Sequence, residues 1–154
     1  MKKRHKYRAK PGWYDVDLQP CSRNDEGNYI IDPVTKKPRG SQYYLHSQLE
    51  LKTARNLHLQ KLSGNIQDWA RNTETWDFNV CRKTPFRQNS TYTPDFWVKK
   101  NDDSTFYIEC KGYNYPGSLV KIKRAVKYYP QKTLFVYTQT QQMSAKEYLC
   151  VWAA

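Results

Sequence analysis

Thr91-Tyr92-Thr93-Pro94-Asp95-Phe96-Trp97-Val98 and, after a polar turn, Phe106-Tyr107-Ile108-Glu109-Cys110-Lys111-Gly112 decide how this chain is read. Aromatic and β-branched residues dominate both runs, and Asn101-Asp102-Asp103-Ser104 supplies the turn. The spacing therefore predicts two strands joined as a hairpin. Asp95 opens the first strand, and Glu109 and Lys111 stand near the end of the second. Alternation places Phe106, Ile108 and Cys110 on one face and Tyr107, Glu109 and Lys111 on the other. The hairpin can bring Asp95 toward that acid and amine. Two carboxylates beside an ammonium suit a hard divalent cation and an activated water.

Outward from the hairpin, the pattern alternates helix and strand. Upstream, residues 47–62 are rich in good helix formers, and Ser47-Gln48-Leu49-Glu50 fits a capping box with Ser47 as N-cap. The apolar residues spread around this helix, as in one packed on more than one side. Trp76, Phe78 and Val80 alternate with polar residues and predict a half-buried strand. Downstream, Leu119, Ile122, Val126 and Tyr129 form an amphipathic stripe on a helix over 118–129 capped by Ser118. Pro130 ends it, an apolar strand follows over 133–139, and 147–152 reads as a last strand. A strand–helix–strand crossover implies parallel pairing. The expected fold class is α/β, with a mixed central sheet flanked by helices. Residues 11–40 are irregular. Trp13 to Leu18 suggest a short strand, Asn24 to Asn28 a turn, and Tyr29 to Ile31 a returning strand. The expected organisation is a basic arm and irregular extension over 1–45 and a core domain over 46–154.

The 154 residues are enough to bury a core without staples. The formal charge is +12, which points to polyanionic partners, nucleic acid first; the plain alternative is a solvated basic surface. Lys2, Lys3, Arg4, Lys6 and Arg8 make an N-terminal arm that either solubilises the chain or tracks phosphate. Lys36, Lys37 and Arg39 form a basic loop, and Lys121, Lys123, Arg124 and Lys127 decorate the 118–129 helix. Cys21, Cys81, Cys110 and Cys150 contain no C-x-x-C, so no structural zinc site is expected. No apolar run resembles a leader or a membrane span. A reducing, cytoplasmic setting with free thiols is the expectation.

Each acidic residue has a plain explanation of its own. Asp95 can simply start a strand after Pro94, Glu109 and Lys111 can be a charge pair on an edge strand, and Glu50 can be only a capping residue. Their joint pattern is more specific. Pro94-Asp95, then Glu109-Cys110-Lys111 fourteen residues on, with a helical Glu50 upstream, is the PD-(D/E)XK nuclease signature. Thr91-Tyr92-Thr93-Pro94-Asp95-Phe96 and Ile108-Glu109-Cys110-Lys111-Gly112 resemble the endonuclease I family of T-odd bacteriophages, which resolves four-way (Holliday) DNA junctions. Ser47 to Glu50 and the stretch after Tyr129-Pro130 extend the resemblance over about residues 45–140. The interval between Glu50 and Asp95 is longer than in that family.

The resemblance implies a restriction-endonuclease-like core and Mg²⁺-dependent hydrolysis of phosphodiester bonds in branched DNA, with Mn²⁺ as the substitute ion. It implies that Asp95, Glu109 and the Cys110 backbone carbonyl hold the ion, that Glu50 adds a carboxylate, and that Lys111 orients the attacking water. Glu74 is a weaker acidic candidate in the same comparison. The resemblance also implies a homodimer that exchanges elements, and a host cytoplasm as location if the chain is phage-encoded. Two other functions compete: a nuclease for linear or single-stranded DNA, and a nucleic-acid-binding module without catalysis.

Overall fold

The structure, a computed structural model, describes residues 10–112 and 116–152. It comprises two compact units, Met1–Leu59 and Gln60–Ala154. The division falls inside a helix rather than at 45/46.

In the N-terminal unit, β1 (Gly12–Tyr14) pairs antiparallel with β2 (Tyr43–Leu45). The strand expected from Trp13 to Leu18 stops at Tyr14, because the Asp15 carboxylate accepts N–H bonds from Asp17 and Gln19, each at 2.9 Å, and turns the chain. Leu18 takes up the turn with φ at 60°. Tyr29 to Ile31 do not form the expected strand; they make only the isolated bridges Arg23↔Tyr29 and Ile31↔Pro38. Helix α1 (Gln48–Leu62) begins at the predicted cap. Ser47 Oγ accepts the Glu50 N–H at 3.1 Å, while Glu50 Oε2 accepts the N–H of His46, one residue before the cap, at 2.9 Å. Arg55 donates to the Leu18 carbonyl and ties the helix to the irregular segment. Gly64 ends the helix at φ +78°, a left-handed position that a side chain would strain.

The C-terminal unit is α/β, built on a five-stranded mixed sheet in the order β3-β6-β7-β8-β9. The strands are β3 (Asp68–Arg71), β6 (Phe96–Lys99), β7 (Thr105–Cys110), β8 (Leu134–Tyr137) and β9 (Gln142–Ser144). β6 and β7 form the predicted hairpin, with Phe96 opposite Ile108. Helix α2 (Pro116–Tyr128) crosses over to β8, which pairs parallel with β7. A small separate ladder joins β4 (Trp76–Asp77) to β5 (Thr91–Tyr92). Trp76, Tyr92, Tyr107, Ile122, Ala125, Val136 and Tyr148 make the core between the sheet and the helices α2 and α3 (Ala145–Trp152). On the other face of the sheet, Phe96, Val98 and Ile108 are fully buried.

Three local expectations fail for identifiable reasons. The strand over 76–80 ends after two residues, because the Asp77 side chain caps the Asn79 N–H and starts a 3-10 turn, Phe78–Cys81. Val80 is consequently 74% exposed. Helix α2 starts at Pro116 rather than after Ser118, since proline's missing N–H is harmless in a first turn. Residues 147–152 are helical, not extended: Ser144 Oγ accepts the Glu147 N–H and Glu147 Oε2 accepts the Ser144 N–H, a reciprocal capping box.

Candidate active site

β7 is the third of five strands, so Glu109 is not an edge-strand surface acid; it is 6% exposed. Both its carboxylate oxygens have partners. The Tyr92 hydroxyl donates to Oε2 at 2.8 Å, and the Lys111 ammonium pairs with Oε1. Lys111 lies just past the strand, where its N–H donates to the Tyr137 carbonyl at 2.8 Å and prolongs the β7–β8 ladder. That bond sets the position from which the ammonium reaches back to Glu109.

Asp95 directly precedes β6. The register Phe96↔Ile108, carried one residue further, places it across from Glu109. Its Oδ2 accepts the Cys110 N–H at 2.7 Å, which fixes the first carboxylate to the strand that carries the second. Burial, then the Glu109 charge and hydrogen bond, and then the Asp95 charge push the Tyr92 phenol well above its ordinary value. Tyr92 is therefore a neutral donor that feels both acids. An open cleft of about 470 Å³ is lined by Thr91, Tyr92, Thr93, Glu109, Lys111 and Lys121, among others.

The structure thus gathers Asp95, Glu109, Cys110 and Lys111, as the hairpin predicts. Glu74 has partners of its own. It accepts hydrogen bonds from Trp76 Nε1 and Lys132 Nζ, each at 2.7 Å, and from Tyr107. Burial opposes its ionisation, but the bonds from Lys132, Tyr107 and Trp76 and the Lys132 charge outweigh it and hold the carboxyl below its ordinary value. Glu50 lies in the N-terminal unit, 7% exposed and engaged at the start of α1.

Lys36, Lys37 and Arg39 are exposed in the N-terminal unit, and Lys123 and Lys127 are exposed on α2. Lys121 lines the cleft. Arg124 differs from its neighbours. Its guanidinium donates to the Gln88 and Asn89 carbonyls at 2.6 and 2.7 Å and lies 3.4 Å from the Phe86 ring centroid. It clamps the loop before β5 instead of facing a ligand. Lys2, Lys3, Arg4, Lys6 and Arg8 lie outside the described residues.

Among the described residues, no group of three or more His, Cys, Asp or Glu side chains is placed to hold a metal ion. The donor set fits Mg²⁺ nonetheless, because that ion is commonly held by one or two carboxylates, with waters and substrate phosphate completing its shell. Tyr92 is the residue the linear motif contains but does not assign. Reading 91–98 as one strand would put it on the face opposite Asp95; the break at Thr93-Pro94 sends β5 into a different ladder. Among the described residues no helix is long and apolar enough to cross a membrane. No protein-family model, curated protein or solved structure matches this chain.

Proposed function

We propose that this protein is a Mg²⁺-dependent endonuclease that hydrolyses phosphodiester bonds in branched DNA, with four-way junctions as the preferred substrate. The observation that carries the reading is the convergence of Asp95, buried Glu109 and Lys111 at one sheet end, beside an open cleft, in a chain of net charge +12. A binding module that only holds DNA gains nothing from placing two acids where phosphate must approach. The branched substrate and a homodimeric assembly rest on the resemblance of the strand motifs to junction-resolving nucleases.

Asp95 and Glu109 would hold the ion, with the Cys110 carbonyl as a further oxygen ligand. When bound, Mg²⁺ lowers the pKa of water and neutralises charge on the phosphate. Lys111 orients the attacking water and stabilises the charge that builds on the non-bridging oxygens. Attack on phosphorus breaks one P–O ester bond and leaves a phosphomonoester end and a hydroxyl end. Lys121 and the exposed α2 lysines hold the flanking phosphates without reading sequence.

Cleavage of matched four-way junction, linear duplex and single-stranded DNA, in Mg²⁺ or EDTA, tests the proposal. The expected result is Mg²⁺-dependent cutting of the junction, reduced about 10²–10³-fold in Lys111→Ala. Equal cutting of all three DNAs would retain a nuclease and remove the junction preference. Tight binding without cutting would contradict the catalytic reading.

A further inference from the structure

The chemistry above gives the Tyr92 hydroxyl no task, yet it is a buried, closely packed donor at the site. The side chain is 5% exposed. Its ring packs edge-on against Trp76 at 5.4 Å between centroids, and its backbone pairs with Trp76 in the β4–β5 ladder. Trp76 is in turn stacked on Tyr129 at 5.4 Å and edge-on to Tyr107 at 5.0 Å. A tyrosine has only two side-chain torsions, so this aromatic frame fixes where the hydroxyl points. It points at Glu109 Oε2.

The other oxygen of Glu109 is held differently. Oε1 pairs with an ammonium on the flexible four-carbon stem of Lys111. That ammonium occupies the edge of Glu109 that faces away from Tyr92. A divalent ion held at that edge would compete with the ammonium for Oε1, and a displaced ammonium would be free to meet the substrate. In such an exchange Glu109 would lose one of its two anchors, and its own three torsions would let the carboxylate swing. The Tyr92 hydroxyl, neutral and fixed, is the anchor that stays.

We propose that Tyr92 is a positioning residue. Its hydroxyl locks the Oε2 edge of Glu109 while the Oε1 edge trades the Lys111 ammonium for a divalent cation. The inference rests on the proposal that Asp95 and Glu109 hold that cation. Partners that orient a metal-binding carboxylate commonly contribute 10- to 100-fold to ion affinity.

Tyr92→Phe removes the hydroxyl and keeps the ring against Trp76. Calorimetric titration of the full chain with Ca²⁺, without DNA, is the primary readout, followed by the Mg²⁺ concentration for half-maximal junction cleavage. Tyr107→Phe is the control, since it removes a hydroxyl from the same aromatic cluster, one bonded to Glu74 rather than to Glu109. The expected result is about 10-fold weaker Ca²⁺ binding in Tyr92→Phe, a matching rise in the Mg²⁺ midpoint, unchanged junction affinity in EDTA, and near-wild-type ion affinity in Tyr107→Phe. Unchanged ion affinity in Tyr92→Phe, or equal weakening in Tyr107→Phe, overturns the inference. If Tyr92→Phe does not fold, Tyr92→4-fluorophenylalanine keeps the shape and drops only the donor, and the same criteria apply. A wild type that binds Ca²⁺ and cuts DNA beside an unaffected Tyr92→Phe removes this inference alone. A wild type whose ion binding survives Asp95→Asn and Glu109→Gln removes the metal site and the inference together.

Discussion

Taking a carboxylate out of water costs several kcal/mol unless charge and hydrogen bonds replace the lost hydration. Glu109 receives an ammonium on one oxygen and a phenol on the other. Glu74 receives Lys132, Trp76 and Tyr107. The two acids differ in what surrounds them: Glu109 is buried at the wall of an open cleft, whereas Glu74 keeps more than a third of its side chain exposed and is paired to Lys132, which also lies 5.5 Å from the Trp76 ring and 5.3 Å from the Tyr107 ring. The pH dependence follows from the sign of the Glu74 shift. Its folded pKa is depressed, so its stabilisation is fully present above the ordinary value of 4.5 and is lost as pH falls through the lower folded value. Glu74→Gln should be less stable than wild type at neutral pH, and the gap in urea-unfolding midpoints should shrink below about pH 4.5. A gap that stays constant into acid would contradict this account of the pair. Asp95, Glu109 and Lys111 are legible in the sequence because alternation along one hairpin is enough to bring them together. The Glu74–Lys132 pair is not, because it joins residues 58 apart through packing that no local period records.

At the scale of elements, local capping chemistry decided the cases where composition misled. Ser47 and Glu50 are read correctly as a helix start, although Glu50 reaches His46 rather than the cap residue. The same pattern stands at Ser144 and Glu147, but Tyr148, Leu149, Val151 and Trp152 read as strand by composition. Attention to the box would have identified α3. Strand β3 carries only Asp-Trp-Ala-Arg, too short to show a period. Capping and catalysis make separable demands on Glu50. Ser47→Ala should cost about 1 kcal/mol in urea unfolding. Glu50→Gln should cost less, about 0.5 kcal/mol, because the amide oxygen still accepts from His46 and the favourable charge at the helix start is lost. A stability loss in Glu50→Gln exceeding that of Ser47→Ala would contradict the capping account.

At the scale of the molecule, the proposed function joins a net charge of +12, suited to polyanionic partners, to two buried or half-buried acids at the end of β7. The charge was readable from composition, and the mixed sheet from the crossover between two apolar strands. The division at Leu59/Gln60 was not, because a continuous helix hides it. The most direct test of the central claim is the single-turnover rate of junction cleavage against Mg²⁺ concentration, for wild type, Asp95→Asn and Glu109→Gln, with each protein shown to bind the junction in EDTA. Loss of several kcal/mol of transition-state stabilisation corresponds to about a thousandfold slower cleavage in each variant with binding retained, and that is the predicted result. Wild-type rates in either variant, or cleavage in EDTA, would contradict it.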